Sequence, residues 1–335
     1  MKRVLHKILG FLIILASLSV GWAMLEFKQF LQTPLQLPEE GVLFELKPGM
    51  STRMLAAELN KRGYLENPLY LRLLARWEGM AQQLKAGEYR IKAGTKPREL
   101  LSLLISGKVT SYSLTLIEGW NIHQVIEAVH SSQDLRHTLL ELSAGQLMER
   151  LGHGGEHPEG RFLPDTYHFP KGTTDVAFLQ RAYESMARAL NRKWSERDQD
   201  LPLSSAYEAL ILASIVEKET ALASERPQIA GVFIHRLRKG MKLQTDPTVI
   251  YGIGPSFDGN IRRSDLRQDT PYNTYVHAGL PPTPIAMPGL DALDAVVHPA
   301  KTKNLYFVAK GDGSHHFSDT LAEHNRAVRK YQLKR

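Results

Sequence analysis

The sequence predicts an α+β chain: an N-terminal transmembrane helix, a small β-α-α-β subdomain, and a larger mixed α/β domain built around one central buried helix. Three observations carry that expectation. An uncharged apolar run from Ile8 to Leu25 is long enough to cross the hydrocarbon core of a bilayer. From Val42 to Gly107, short strand and helix patterns alternate, separated by Gly and Pro turns. Further on, Tyr207 to Val216 is apolar on nearly every side and then ends in the charges of Glu217, Lys218 and Glu219, which is the pattern of a helix buried inside a domain and not of a surface helix.

Composition narrows the classes of function. At 335 residues, with 43% hydrophobic and 23% charged residues, the chain is long enough for two domains and needs no disordered region. The formal charge of +7 favours an anionic partner, but Lys and Arg are scattered and no aromatic-basic stripe points to nucleic acid, so none is expected as a partner. The absence of cysteine excludes disulfides, thiolate metal sites, iron–sulfur clusters, a thiol nucleophile and a lipidated cysteine anchor.

The elements follow in order. Lys2, Arg3, His6 and Lys7 make residues 1–7 a cytoplasmic tail by the positive-inside rule, residues 8–25 the anchor, and 26–41, with Pro34 and Pro38, a stalk. A cleaved signal peptide is the rival reading; its apolar core would be shorter, and only Gly21-Trp22-Ala23 resembles a cleavage site. Residues 42–113 form the subdomain. Val42–Leu46 is a strand, Ser51 caps a helix bearing Met54, Leu55 and Leu59, a second helix carries Leu69, Leu73, Leu74 and Trp77, and Ala86–Ile91 returns as a strand. A further helix, capped by Thr95, ends at Gly107. The order of these elements resembles a LysM domain, a small fold associated with N-acetylglucosamine polymers; a packing module without a ligand has the same order.

The larger domain occupies residues 114–335. Leu114–Glu118 reads as a strand, Gly119-Trp120 as the opening of a helix, and 135–151 as helical segments broken by Gly. His153 and His157 share a Gly-rich loop without the helical spacing of a metal site, so no metal and no cofactor are expected. Leu179, Tyr183, Met186, Leu190 and Trp194 recur at helical spacing and belong to the core.

The central helix supplies the catalytic candidate. Ser205 and Glu208 form a capping box at its start. On a helical wheel Glu217 shares its stripe with Ala206, Leu210, Ala213, Ser214 and Ala221, mostly small residues that leave volume beside the carboxylate, while Glu219 points the other way with Ile211 and Ile215. A carboxyl group at the inner end of an apolar helix has its charged form disfavoured and its pKa raised, as a general acid requires. The alternative is that Glu217 only pairs with a nearby Arg. Beyond this helix, Asp246-Pro247 is read as blocking helix and favouring a turn that presents Gln244 and Asp246 outward. Tyr272 and Asn273 lie in a proline-stiffened stretch and offer the flat apolar face and the amide that sugars need; plain turn chemistry would use the same residues. Leu305–Ala309 and His315–Phe317 make a hairpin, and Thr320 with Glu323 caps the last helix.

Taken together, Glu159-Gly160, Pro164-Asp165-Thr166-Tyr167, Ser214 to Thr220, Gln244-Thr245-Asp246-Pro247-Thr248, Pro271 to Tyr275, Gly279-Leu280-Pro281 and Glu323-His324-Asn325 make the chain resemble the MltG-type (YceG-like) endolytic murein transglycosylases over nearly its whole length. His235 departs from that pattern, where the family usually has Asn. The resemblance implies cleavage of peptidoglycan glycan strands between N-acetylmuramic acid and N-acetylglucosamine, leaving 1,6-anhydro ends, with Glu217 as the catalytic acid. It also implies a single-pass protein of the cell inner membrane with a periplasmic catalytic domain, peptidoglycan as substrate and peptidoglycan synthases as partners. Gln244, Asp246, Tyr272 and Asn273 are the expected groove residues. A two-carboxylate muramidase and a non-enzymatic wall-binding scaffold are the alternatives.

Overall fold

The computed structural model describes residues 2–139 and 144–333, which fall into two compact units, 1–112 and 113–335. In the first unit, α1 (Lys2–Gln32) is one continuous helix, and its segment His6–Gln32 is long and apolar enough to cross a membrane. The helix continues past Leu25 into the expected stalk because Phe27 and Phe30 pack there on Tyr70. Then come β1 (Val42–Leu46), α2 (Thr52–Lys61), α3 (Pro68–Trp77), β2 (Gly87–Ile91) and α4 (Pro97–Ser106). β1 and β2 pair antiparallel, with Val42 opposite Ile91 and Leu46 opposite Gly87. The inward residues of this ribbon, Phe44, Leu46, Tyr89 and Ile91, close a core with Leu55, Leu59, Leu71, Leu74, Leu100 and Leu104. Truncating any one of these leucines to Ala is worth roughly 2–5 kcal/mol. The caps are mostly those expected: the Ser51 hydroxyl accepts from the Met54 N–H, and Gly107 ends α4 in the left-handed conformation at φ +73°. Thr95 is not the cap of α4. Its hydroxyl turns back to the Lys92 carbonyl, and the Glu99 carboxylate accepts from the Lys96 N–H instead.

The second unit begins within β3 (Ser111–Thr115), which pairs with β4 (Thr166–Pro170), and between them in sequence lie α5 (Ile122–Ser131) and α6 (Ala144–Arg150). The strand ends three residues earlier than expected and the helix starts later. Gly119, at φ +78°, is outside right-handed helical space, and the true cap is Asn121, whose side chain accepts from the Gln124 N–H. Of the expected helical stretch 135–151, positions 140–143 lie outside the described residues.

α7 (Asp175–Ser195), α8 (Ala206–Glu219), α9 (Arg226–Arg238), α10 (Asp246–Ile253) and α11 (Leu290–Val297) form the body of this unit, completed by the hairpin β5 (Tyr306–Ala309) and β6 (His315–Ser318) and by α12 (Leu321–Tyr331). α8 is the predicted central helix. Every residue from Ala209 to Val216 is buried, against Met186 and Leu190 of α7, Ile229, Ala230 and Phe233 of α9, and Ala292, Leu293 and Val296 of α11. Its N-terminus is half the expected box: the Ser205 hydroxyl accepts from the Glu208 N–H, but the Glu208 carboxylate reaches the N–H of Ser204, one residue earlier. Asp246-Pro247 opens a helix instead of blocking one. Proline is tolerated in a first turn because the N–H it lacks would have no partner there. The last hairpin and the Thr320–Glu323 capping box are as expected.

Candidate active site

Glu217 and Glu219 lie two residues apart at the C-terminal end of α8, so their side chains leave the helix on opposite sides. Their surroundings differ in kind. The Glu217 side chain is only 5% exposed. One of its oxygens is 2.8 Å from Nη2 of Arg226, the other accepts the Gly289 N–H at 2.9 Å, and Arg226 also approaches Glu118 and Asp291 at 3.6 and 3.7 Å. Burial raises its pKa, as expected, against the opposing pull of the Gly289 N–H and Arg226. The stripe beside it, expected to leave open volume, is met by backbone. Small residues on that stripe admit the backbone of 285–289 instead: the Ser214 hydroxyl accepts the Ile285 N–H at 2.9 Å, and Gly289 lies so close to Glu118 that an added methyl group would meet its carboxylate.

Glu219 faces a cleft of about 560 Å³. Its carboxyl accepts a hydrogen bond from the Thr245 hydroxyl, and the residue is half-buried, as Glu217 is; what separates the two is that Glu219 lines the cleft. Burial, helped by the nearby charge of Asp246, brings its pKa to about 7 against the pull of the Thr245 hydroxyl, His315 and Arg236. A carboxyl group that is both reachable and half-protonated near neutrality can give a proton and take one back.

The rest of the cleft comes from α9, the loop before α10, the hairpin and α12. Buried Arg236 donates to the carbonyls of Leu305 and Leu243, at 2.6 and 2.8 Å, and so joins α9 to the hairpin and to the 242–244 loop. Gln244 and Asp246 are exposed at the rim, as expected. Gln244 has a φ of +54°, the only positive φ of a non-glycine residue among those described, and such strain tends to be kept where a side chain has to be aimed. Asp246 accepts from the Tyr275 hydroxyl at 2.6 Å. Tyr275, Tyr306 and Phe307 supply aromatic wall. His315 has its Nδ1 2.7 Å from the Glu225 carboxylate, which also accepts the His315 main-chain N–H.

The other two expected groove residues are elsewhere. Tyr272 lines a separate groove of about 650 Å³ with Lys218 and Tyr251, its hydroxyl 2.9 Å from that of Thr283. Asn273 is 1% exposed and not a groove residue. Its amide donates to the carbonyls of Asp265 and Gln268 and its oxygen accepts the Tyr275 N–H, so it holds the loop that carries Tyr275. The contact of Glu225 with His315 is not visible in the sequence, because the two are 90 residues apart and only the hairpin brings them together. The loop histidines have separate partners: His153 stacks on Tyr183, and His157 accepts from the Glu159 N–H.

The YceG-like family profile matches residues 44–330, so it covers nearly all of the β-α-α-β subdomain and of the cleft lining. The chain belongs to the YceG-like family. Among its YceG-like relatives, an endolytic murein transglycosylase of Bacillus subtilis is 30% identical over 331 residues, covering 94% of this chain and 91% of that protein. One of the same description from Streptococcus pneumoniae is 28% identical over 359 residues, and there this chain spans 64% of the relative's length. A crystal structure of a YceG-like protein from Listeria monocytogenes superposes with a TM-score of 0.55 at 27% identity, over 86% of this chain and 99% of that one.

Proposed function

We propose that this YceG-like chain is an endolytic peptidoglycan lytic transglycosylase, cutting glycan strands between N-acetylmuramic acid and N-acetylglucosamine, with Glu219 as its catalytic acid. The names of the relatives support the activity. The observation that carries the residue assignment is the reachable Glu219 carboxyl, held at about 7 in a cleft lined by Asp246, Gln244 and aromatic side chains. Glu217, the candidate read from the sequence, has the raised pKa but not the access, since Arg226 and Gly289 occupy its oxygens.

In this reading protonated Glu219 gives its proton to the glycosidic oxygen as the C1–O bond of the muramic acid residue breaks. The C6 hydroxyl of the same sugar closes on C1, an intramolecular nucleophile whose high effective concentration takes the place of water. The Glu219 carboxylate takes the C6 hydroxyl proton and is ready for the next cut. The Thr245 hydroxyl fixes the orientation of the carboxyl group, and Gln244, Tyr275 and Tyr306 hold sugar rings and N-acetyl groups. Asp246 in the same cleft favours one other reading, hydrolysis by two carboxylates, in which Asp246 would activate water and the products would carry reducing ends.

The test is mass spectrometry of glycan digested by Glu219→Gln and Glu217→Gln. Glu219→Gln is expected to stay folded and lose roughly 10²–10⁴-fold in anhydro-product formation. Glu217→Gln is expected to lose stability, with turnover retained in the folded fraction. The reverse pattern returns the role to Glu217, and hydrated ends in place of anhydro ends select the hydrolase.

α1 crosses the inner membrane once with its N-terminus in the cytoplasm, which places the second unit in the periplasm beside peptidoglycan synthases, where internal cuts limit strand elongation. The β-α-α-β subdomain serves as a LysM-like module that holds glycan. A reporter fused to the C-terminus is expected to be active only in the periplasm, and a cytoplasmic signal would overturn this topology.

A further inference from the structure

α3 carries two faces. Leu71, Leu74 and Ala75 are buried in the first unit's core, while Leu69, Leu73 and Trp77 are 51%, 47% and 79% exposed. The exposed three are spaced i, i+4, i+8, so they form one stripe along the helix, flanked by exposed Arg72 and Arg76. Single exposed apolar residues need no explanation, but a stripe ending in a Trp does.

Its position supplies one. The Trp77 ring stacks on Phe27 of α1 with centroids 6.1 Å apart, and Tyr70 of α3 packs edge-on against Phe27 while its hydroxyl donates to Glu26 at 2.7 Å. Phe27 lies two residues past Leu25, the last residue of the uncharged run, or about 3 Å along the helix axis. Along that run, side chains such as Ile14, Leu18, Trp22 and Leu25 are half or more exposed within the unit. Thus α3 is attached to α1 at the level where the apolar surface ends, which is where a bilayer's hydrocarbon gives way to its headgroups. Trp is favoured at that level because its ring is apolar and its N–H polar, and Arg beside it meets lipid phosphate.

We propose that the stripe Leu69, Leu73 and Trp77 seats in the headgroup layer around the outer end of α1, with Arg72 and Arg76 on anionic lipid phosphates, so that the first unit lies on the membrane surface. This rests on the reading of α1 as a membrane anchor. The occupant is lipid because the Trp77 end of the stripe touches Phe27, beside the end of the apolar run of α1, and the flanking charges of Arg72 and Arg76 complement an anionic headgroup layer.

The chain has no cysteine, so one introduced residue is labelled uniquely. Leu73→Cys, Trp77→Cys and, in the middle of the apolar run, Leu15→Cys would each be labelled with an environment-sensitive fluorophore in the full chain. The proteins would be reconstituted into vesicles of phosphatidylethanolamine and phosphatidylglycerol, with and without lipids bearing a nitroxide near the headgroup or at mid-chain. The expected result is blue-shifted emission at Leu73→Cys and Trp77→Cys, quenched most by the shallow nitroxide, with Leu15→Cys quenched most by the deep one. Quenching at Leu15→Cys without quenching at the α3 positions overturns the docking and leaves the anchor standing. No quenching at Leu15→Cys overturns the anchor and the docking with it. A blue shift that follows the protein-to-lipid ratio, indifferent to nitroxide, means that a second copy of the chain covers the stripe and also overturns the proposal.

Discussion

Two carboxylates on one helical turn have different surroundings, and what differs is not their sequence context but what lies over them. Glu217 is closed in by Arg226 and the Gly289 N–H, whereas Glu219 opens on the cleft. With Glu219 as the proposed acid, which has to be protonated when it acts, kcat/KM is expected to fall as pH rises above about 7, the value to which its surroundings bring that carboxyl group. The charge of Asp246 helps keep that value high. Asp246→Asn is therefore expected to move the falling limb to lower pH while keeping anhydro-product turnover within roughly 10²-fold of the parent, the range of a binding contact. A pH–rate profile of the two proteins checks both points; loss as deep as that of Glu219→Gln would make Asp246 a second catalytic carboxylate.

At the scale of elements, α9 is held by close approach and not only by its apolar face. An added methyl group at Gly231 would come within 2.4 Å of the Ala300 carbonyl oxygen, a backbone atom that cannot turn aside. Gly231→Ala is expected to destabilise the second unit by about 1–3 kcal/mol, read as a lower denaturant midpoint at unchanged slope. The start of α8 depends on a smaller contact. Removing the Ser205 hydroxyl leaves the Glu208 N–H without its acceptor, and Ser205→Ala is expected to cost about 1 kcal/mol in the same measurement.

Across the whole molecule, stability should depend on pH through a residue remote from the cleft chemistry. Glu159 is fully buried, accepts from the Ile122 N–H at the start of α5 and from the Tyr251 hydroxyl of α10, and has its pKa raised from 4.5 to about 7, chiefly by burial. A carboxyl group whose folded pKa is raised binds its proton more tightly in the native state. Its contribution is fully present below pH 4.5 and is lost as pH rises to about 7, on the order of 3 kcal/mol in total. Glu219 adds to the slope in the same direction and is partly exposed. Denaturant titrations at pH 5 and pH 7.5 are expected to show the chain more stable at the lower pH, with the difference reduced in Glu159→Gln. An unchanged difference in that variant would remove Glu159 as its source.

What the sequence determined by itself was whatever is local or periodic. The apolar run of α1, the burial of α8, the pairing of β5 with β6 and the cap at Thr320 follow from spacing and from side chains a few residues apart. Gln244 and Asp246 were legible as outward-facing because the chain turns there, even though that turn proved to be the first turn of α10. A helical wheel separates Glu217 from Glu219 correctly, but it records which side chains share a stripe and nothing of what packs on it. Small residues beside Glu217 suit a bound sugar or a passing backbone equally well, and only the tertiary structure decided for the backbone of 285–289. The same holds for Asn273, whose amide is used up inside its own loop, and for the meeting of Glu225 with His315 across 90 residues. Long-range packing decides these, because access and desolvation at a carboxylate are set by segments that its neighbours in sequence do not specify.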